Sequence, residues 1–248
     1  MNAIANIKTI AKRELSGYFG SPVAYVFIVI FLLLTGFFTF QAGGFFERGQ
    51  ASLDGSFFIW HPWLYLFLVP AVGMRLWAEE RRVGTLELLL TMPITAWQAI
   101  VGKFVASWAF LTLALVLTFP VVISVNYLGS PDNGAIFTAY IGSFLMAGSY
   151  LAVSCLTSAM TRNQVVSFIL SVVVCLLLIL CGFRPVIQFL SHYDIPWLIN
   201  LVASFSVMTH FESFSKGLID SRDVIFFLSV IGFSLFTTGV ILRSHRAG

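Results

Sequence analysis

The chain has 248 residues, of which 58% are hydrophobic and only 10% are charged. A soluble globular domain carries about 45–50% apolar and about 25% charged residues. This composition therefore excludes an ordinary water-facing surface and predicts an all-α integral membrane protein. The net charge of +3 is small and no run of basic residues occurs, which excludes a nucleic-acid partner.

The cysteines and histidines give no sign of a metal site, a disulfide framework or a catalytic constellation. Free cysteine in an apolar stretch behaves as a small hydrophobic residue, and the histidines are scattered without ligand spacing. The residues concerned are Cys155, Cys175, Cys181, His61, His192, His210 and His245. The sequence thus predicts no bound metal, no catalytic residue and no enzyme activity in the chain itself.

The first segment, residues 1–22, predicts an amphipathic helix that lies in the membrane interface. Apolar residues recur at steps of three and four, and basic residues fall mostly on the opposite side, as in helices that turn their apolar face toward acyl chains. The apolar positions are Ile4, Ile7, Ile10, Ala11, Leu15, Tyr18 and Phe19. A frayed cytosolic tail is the alternative. Residues 20–22, Gly-Ser-Pro, then end the helix.

Six apolar stretches follow and predict a transmembrane domain over residues 23–248. A helix needs roughly 20 apolar residues to cross hydrocarbon about 30 Å thick. The stretches cover residues 23–40, 57–76, 100–122, 135–160, 165–182 and 224–242. The fourth is rich in small residues, among them Gly142 and Gly148, which favours close packing inside one protomer over packing between protomers.

The positive charges predict that both termini are cytoplasmic. With six spans and an inside N-terminus, ten of the fourteen Lys and Arg residues fall on the inner side, where such residues concentrate. They are Lys8, Lys12, Arg13, Arg75, Arg81, Arg82, Lys103, Arg162, Arg243 and Arg246.

Residues 183–222 predict a re-entrant or interfacial extracytoplasmic segment before the last span. Their apolar stretch, residues 195–208, is only about 14 residues long, which is short for a span. If it did span, the C-terminus would lie outside. A motif of Phe211, Phe214 and Gly217 is expected to be structural packing. Asp220 can cap the last span, with Asp223 in its first turn.

The loop between the second and third spans, residues 77–99, carries the most functional information. Residues 79–82 form a mixed-charge patch. Gly84 ends the helix that precedes Gly84 in the chain. Thr85 can cap a short new helix, Pro93 bounds that helix, and Thr95 can cap the helix that enters the third span.

The short helix in this loop has a leucine face. Leu86, Leu89 and Leu90 share one side at helical spacing, and Glu87 lies in the first turn, where the helix dipole favours an anion. An apolar ridge of this kind fits a hydrophobic groove on a partner protein. Packing against the membrane or the chain's own spans is an equal alternative.

The loop resembles the first cytosolic loop of ABC-2 type permeases, and its nearest likeness is to the gliding-motility (GldF-like) and NosY-like branch. The resemblance implies that the loop holds the coupling helix, which docks on an ATP-binding subunit. The coupling residues it indicates are Glu79, Glu80, Gly84, Thr85, Leu86, Glu87, Leu88, Leu89 and Pro93, followed by Lys103 at the next span. Residues 157–164, residues 211–223 and the interfacial first helix also resemble that family, so the likeness covers nearly the whole chain.

The resemblance implies a permease that pairs with a second copy or a sibling through its first and fifth spans and binds two ATP-binding subunits. No Walker A pattern occurs, so ATP and Mg are expected on those subunits and no cofactor on this chain. An auxiliary protein with a large extracytoplasmic domain is a further implied partner, besides membrane lipid. The family's distribution implies a bacterial cytoplasmic (inner) membrane.

The function predicted on this basis is ATP-driven transport, with export the expected direction. The spans contain almost no ionisable residues, which weighs against a proton- or sodium-coupled carrier and favours amphipathic cargo. Two alternatives stay open: a membrane scaffold that anchors an ATPase or motility complex without transport, and a channel or carrier that works without ATP.

Overall fold

The computed structural model describes residues 3–49, 52–85, 94–191, 197 and 202–244, and within these ranges it contains helices and no strand. The helices are α1 (Ala3–Phe19), α2 (Pro22–Phe37), α3 (Phe45–Arg48), α4 (His61–Gly73), α5 (Ala78–Val83), α6 (Ala96–Val116), α7 (Phe119–Leu128), α8 (Asn133–Met160), α9 (Gln164–Leu180), α10 (Arg184–Ser191), α11 (Val207–Ser215) and α12 (Ser221–Ser244). The predicted all-helical class is confirmed for the described residues.

Four helical stretches are long and apolar enough to cross a membrane by length and composition. They are Pro22–Glu47, Ala96–Leu128, Asn133–Met160 and Ser221–Ser244. They correspond to the first, third, fourth and sixth predicted spans. The fifth predicted span is the apolar α9, which has 17 residues. The second is divided into a 3₁₀ turn at Phe58–Trp60, the 13-residue α4, and turns before α5.

The third predicted span, which is the stretch Ala96–Leu128, is longer than the sequence predicts and is broken in the middle. It runs to Leu128, beyond the predicted end at residue 122, and divides into α6 and α7. Pro120 explains the break, because proline lacks the N–H that would continue the ladder and its ring clashes with the preceding turn. The Thr118 hydroxyl compensates by bonding to Leu115 O at 2.6 Å and to Tyr140 Oη at 2.8 Å.

Helix α8 is the centre of the fold and packs against α4, α6, α9, α11 and α12. Its small residues let these neighbours approach closely. A Cβ on Gly142 would lie 2.7 Å from Phe214 Cβ, and one on Gly148 would lie 2.8 Å from the Trp108 ring. The small residues thus pack inside one chain, as the sequence favours.

Helix α1 lies along α6 rather than standing apart from the bundle. Asn6 Nδ2 donates to Gln98 Oε1 at 3.1 Å near the start of both helices, and the Tyr18 hydroxyl lies 2.9 Å from Ser107 Oγ further along. Because the contacts keep the same order along both helices, α1 and α6 run side by side in the same direction.

Protein therefore covers part of the apolar face of α1, whereas the sequence pattern predicted that this face turns toward acyl chains. Ile10 packs against Gly102, whose missing side chain allows the close approach. Tyr18 and Phe19 pack against the core, while Ile4 stays exposed. The sequence pattern reports an apolar face, but it does not report what covers that face.

The segment before the last helix contains α10 and α11, and its residues 192–196 and 198–201 lie outside the described residues. Helix α11 packs against α8, α9 and α12. Phe214 is fully buried, and its carbonyl accepts a 2.7 Å hydrogen bond from the Thr138 hydroxyl. These contacts place Phe214 in the packing between α11 and α8.

The close approach at Gly142 gives a first prediction. The methyl group added by Gly142→Ala would lie 2.7 Å from Phe214 Cβ, so Phe214 must shift. Overpacking of this kind lowers the free energy of unfolding by about 1–3 kcal/mol. The melting temperature in detergent should fall by roughly 2–4 °C for each kcal/mol lost.

The matched control for this prediction is Gly232→Ala in α12, where nothing lies within 4 Å of the added Cβ. Alanine favours a helix over glycine by roughly 0.5–1 kcal/mol, so this variant should melt at or above the wild-type temperature. Equal melting of the two variants would contradict the packing described for α8.

Candidate functional site

The segment that leaves α4 is fixed to the end of α8 by one serine hydroxyl. Ser158 Oγ accepts from the backbone N–H groups of Trp77 and Ala78, each at 3.0 Å. The same hydroxyl donates to Met74 O at 2.8 Å. Three backbone groups that the turn after α4 leaves without helical partners are thus satisfied by one buried side chain.

Trp77 fills the space beneath this turn. Its side chain is almost fully buried, and its indole Nε1–H donates to Cys155 Sγ at 3.2 Å. The Lys103 ammonium lies 5.5 Å from the centre of the Trp77 ring, within the range of a cation–π contact. Trp77 therefore connects α8 with α6 below the predicted coupling loop.

Lys103 is a buried cation held between two carboxylates. Its side chain is only 5% exposed, and its Nζ lies 2.7 Å from Glu80 Oε1 and 3.3 Å from Glu14 Oε1. A buried ammonium is stable only when it is paired. The pairs join α6 to α5 on one side and to α1 on the other.

The neighbouring acid, Glu79, has a different environment. It is 46% exposed and lies 3.8 Å from Arg82, a surface pair that contributes little to stability. Of the two predicted coupling acids that the structure describes, only Glu80 joins the buried network.

Arg81 makes a further connection to α8. Its guanidinium donates a hydrogen bond to Ala159 O. Burial lowers the pKa of Arg81 from its ordinary value, and the nearby charge of Arg162 lowers it further.

The predicted end of α5 is confirmed at Gly84. This residue has φ of +79°, a left-handed conformation that glycine adopts without strain, and its N–H donates to Glu80 O. Thr85 is exposed, with Oγ1 3.5 Å from Glu80 O. The remaining predicted coupling residues lie outside the described residues; they are Leu86, Glu87, Leu88, Leu89 and Pro93.

The chain re-enters the bundle through the cap predicted at Thr95. Thr95 Oγ1 accepts from Gln98 N–H, and Gln98 Oε1 accepts from Thr95 N–H, which is a complete capping box. Gln98 Oε1 also accepts from Asn6. Both ends of the loop are therefore attached to the α1–α6 pair.

A second polar cluster joins α11 to α12 and was missed by sequence reasoning. His210 Nδ1 lies 2.6 Å from Asp223 Oδ1, and His210 Nε2 lies 3.1 Å from Ser204 O. A carboxyl oxygen of α12 and a backbone carbonyl oxygen thus lie at the two ring nitrogens of His210. Asp223 thus pairs with a histidine from another helix, beyond its predicted place in a first turn.

Asp220 and Gly217 lie between α11 and α12. Asp220 Oδ1 accepts from Arg222 N–H at 3.0 Å, the hydrogen bond of a helix cap. Gly217 has φ of +85°, which lets the chain reverse between α11 and α12. Among the described residues, no group of three or more His, Cys, Asp or Glu side chains could hold a metal ion.

The fold and its long apolar helices define a polytopic, membrane-embedded helical protein. A family model described as "ABC-2 family transporter protein" matches residues 64–196, which is more than half of the chain and extends from within α4 to beyond α10. The chain belongs to this family. Comparison with curated proteins finds no match.

Membership of the ABC-2 family makes this chain the permease component of an ABC transporter. Such a component is a transport subunit and not itself catalytic, and it pairs with an ATP-binding subunit. The residues that hold both ends of the loop lie inside the matched region apart from Asn6 and Glu14, which α1 supplies.

The adjacent acids of α5 give a second prediction. Glu80→Gln weakens the main ion pair of buried Lys103, and because Glu80 is about one-fifth exposed we expect a loss of about 2–3 kcal/mol, below the range for a fully buried pair. Glu79→Gln should lose about 0–1 kcal/mol. Chemical or thermal unfolding of the purified chain in detergent measures both.

A double-variant cycle tests the pair itself. If Glu80 and Lys103 act on each other, Glu80→Gln combined with Lys103→Met should lose less stability than the sum of the single variants. Additive losses, or equal losses for Glu79→Gln and Glu80→Gln, would contradict the pairing.

Proposed function

We propose that this chain is the permease subunit of an ATP-driven exporter and that residues 77–99 couple it to a separate ATP-binding subunit. The observation that carries the proposal is the anchoring of the loop's first helix, α5, to three other helices. Ser158 and Ala159 hold it to α8, and Lys103 joins it to α6 and α1.

This anchoring gives a physical route for coupling. A partner that pushes on residues 86–93 acts on a six-residue helix that cannot move alone without breaking buried hydrogen bonds and an ion pair. The displacement is therefore passed to α1, α6 and α8 together. Glu80 and Lys103 transmit the displacement to α6, and Trp77 and Ser158 transmit it to α8.

For the topology, we propose six spans with both termini cytoplasmic in a bacterial cytoplasmic membrane, residues 1–22 as an elbow at the inner surface, and residues 183–222 as a re-entrant segment. Four long apolar helices match four of these spans, and the 17-residue α9 matches the fifth predicted span. The second predicted span contains the 13-residue α4. The contacts of α11 with three helices support the re-entrant part, because backbone at membrane depth must be covered by protein.

For the assembly, we propose two permease copies and two ATP-binding subunits, which hold the ATP and Mg, with the permeases meeting along α2 and α9. Both helices carry rows of exposed large apolar residues. The resemblance to the GldF-like and NosY-like branch supports an auxiliary protein with a large extracytoplasmic domain as a further partner.

The two alternatives make different demands on an ATPase. A scaffold would bind the ATPase without moving cargo. An ATP-independent channel or carrier would move cargo without binding an ATPase. The family match favours coupling over the channel or carrier, since the permease component of an ABC transporter pairs with an ATP-binding subunit.

The test is co-purification of the chain from its native membrane in mild detergent, with mass spectrometry of the bound proteins. An ATP-binding subunit should accompany the wild type, because the leucine ridge is expected to fill a hydrophobic groove. Leu89→Asp places a charge on that ridge and should lower recovery of the ATPase at least about tenfold, the equivalent of ~1.4 kcal/mol.

Leu89→Met is the matched control, because it keeps an apolar side chain of similar volume and should retain the ATPase. Reconstituted wild-type complex should then hydrolyse ATP and move cargo together. ATPase binding without cargo movement would favour the scaffold. Absence of any ATPase from the wild-type sample would contradict the coupling proposal.

A further inference from the structure

A cavity of about 440 Å³ lies between the α1–α2 junction on one side and the end of α4, the start of α5 and the middle of α6 on the other. Its size is within the range of small-molecule sites in proteins. The lining divides into a charged end and an apolar end. Glu14, Arg75, Glu79 and Glu80 lie at the charged end, and Val23 and Phe27 lie at the apolar end.

The charged end contains both an unsatisfied acceptor and an available cation. Glu80 Oε1 binds Lys103, but Glu80 Oε2 is buried and has no hydrogen-bond partner in the described part of the chain. Arg75 takes part in none of the ion pairs formed among the described residues. A buried carboxylate oxygen without a donor is costly, so a ligand that brings a donor to Glu80 is favoured.

The apolar end adjoins the start of an apolar helical stretch, the level at which lipid headgroups are expected to meet acyl chains. Val23 belongs to the first turn of the apolar stretch Pro22–Glu47, and Val72 belongs to the last turn of α4. Val23 is 48% exposed, so this side of the cavity is continuous with the surface that faces the lipid. An occupant can therefore keep its polar group at the charged end and its chains outside.

We propose that this cavity binds the headgroup of a phospholipid with a primary ammonium, such as phosphatidylethanolamine. The ammonium pairs with the Glu79 and Glu80 carboxylates, of which Glu79 is 46% exposed, and the phosphate pairs with the Arg75 guanidinium. The acyl chains pass Val23 and Phe27. A phosphatidylcholine headgroup has no N–H to offer Glu80, and an anionic phosphatidylglycerol headgroup brings no cation to the three carboxylates.

This inference goes beyond the proposed function, because it requires only that the chain is embedded in a membrane. It does not depend on an ATPase partner or on the direction of transport. A lipid at this position would contact α1, α2, α4 and α5 at once and would stabilise the arrangement in which α1 lies along α6.

The test is native mass spectrometry of the chain exchanged into micelles that contain phosphatidylethanolamine, phosphatidylcholine or phosphatidylglycerol with the same acyl chains. We expect phosphatidylethanolamine to be retained about tenfold more than either of the others, since one charge-assisted hydrogen bond distinguishes them. A further sample contains glycerophosphoethanolamine, the soluble headgroup without acyl chains. It distinguishes binding of the headgroup alone from binding of the whole lipid.

Three variants make the test specific to the cavity. Arg75→Gln removes the cation and should lower phosphatidylethanolamine retention about tenfold, whereas Arg75→Lys should restore part of it. Arg162→Gln removes an exposed arginine that does not line the cavity and should have no effect.

A cavity-filling variant guards against loss of the fold in Arg75→Gln. Ala71→Leu adds apolar volume at the lining without changing any charge and should also lower retention. Retention that is equal for the three lipids, or unchanged in both Arg75→Gln and Ala71→Leu, would overturn the proposal. So would full competition by glycerophosphoethanolamine at the concentration of the lipid, because the acyl chains would then contribute nothing.

Discussion

The arrangement of α1, α5 and α6 depends on one buried ammonium group. An unpaired charge in a low-dielectric interior is very unfavourable, so Lys103 requires carboxylates within reach. It obtains Glu80 from α5 and Glu14 from α1, and these two pairs fix the position of both helices relative to α6. The same pairs place Glu14 and Glu80 at the charged end of the cavity between these helices. Hydrogen bonds of Asn6 and Tyr18 also hold α1, and Ser158 also holds the start of α5.

Helix α8 supplies the second constraint. Between apolar helices in lipid there is no hydrophobic driving force, so association depends on close packing and on interhelical hydrogen bonds. The glycines of α8 allow the close approach of Trp108 and Phe214, and Ser158 and Thr138 bond to backbone groups of neighbouring segments. The segment between α4 and α5 is thus attached to the helix that packs against most of its described neighbours.

The resemblance seen in the sequence and the family match agree on the class of protein, for different reasons. The resemblance rests mainly on the loop at residues 79–93, whereas the family model covers residues 64–196, from α4 to beyond α10. The narrower relation to the GldF-like and NosY-like branch stays a prediction, as do the cargo direction and the pairing of two permeases.

The sequence by itself determined what depends on neighbouring residues and on composition. The apolar stretches, the glycine that ends α5, the capping box at Thr95 and the cap at Asp220 all arise from interactions within a few residues, so a local pattern reveals them. Tertiary structure alone decided which distant groups meet. Glu14 and Lys103 are 89 residues apart, and the pairing of His210 with Asp223 joins two helices. These contacts depend on which helices become neighbours, and a periodic pattern in one chain carries no information about that choice.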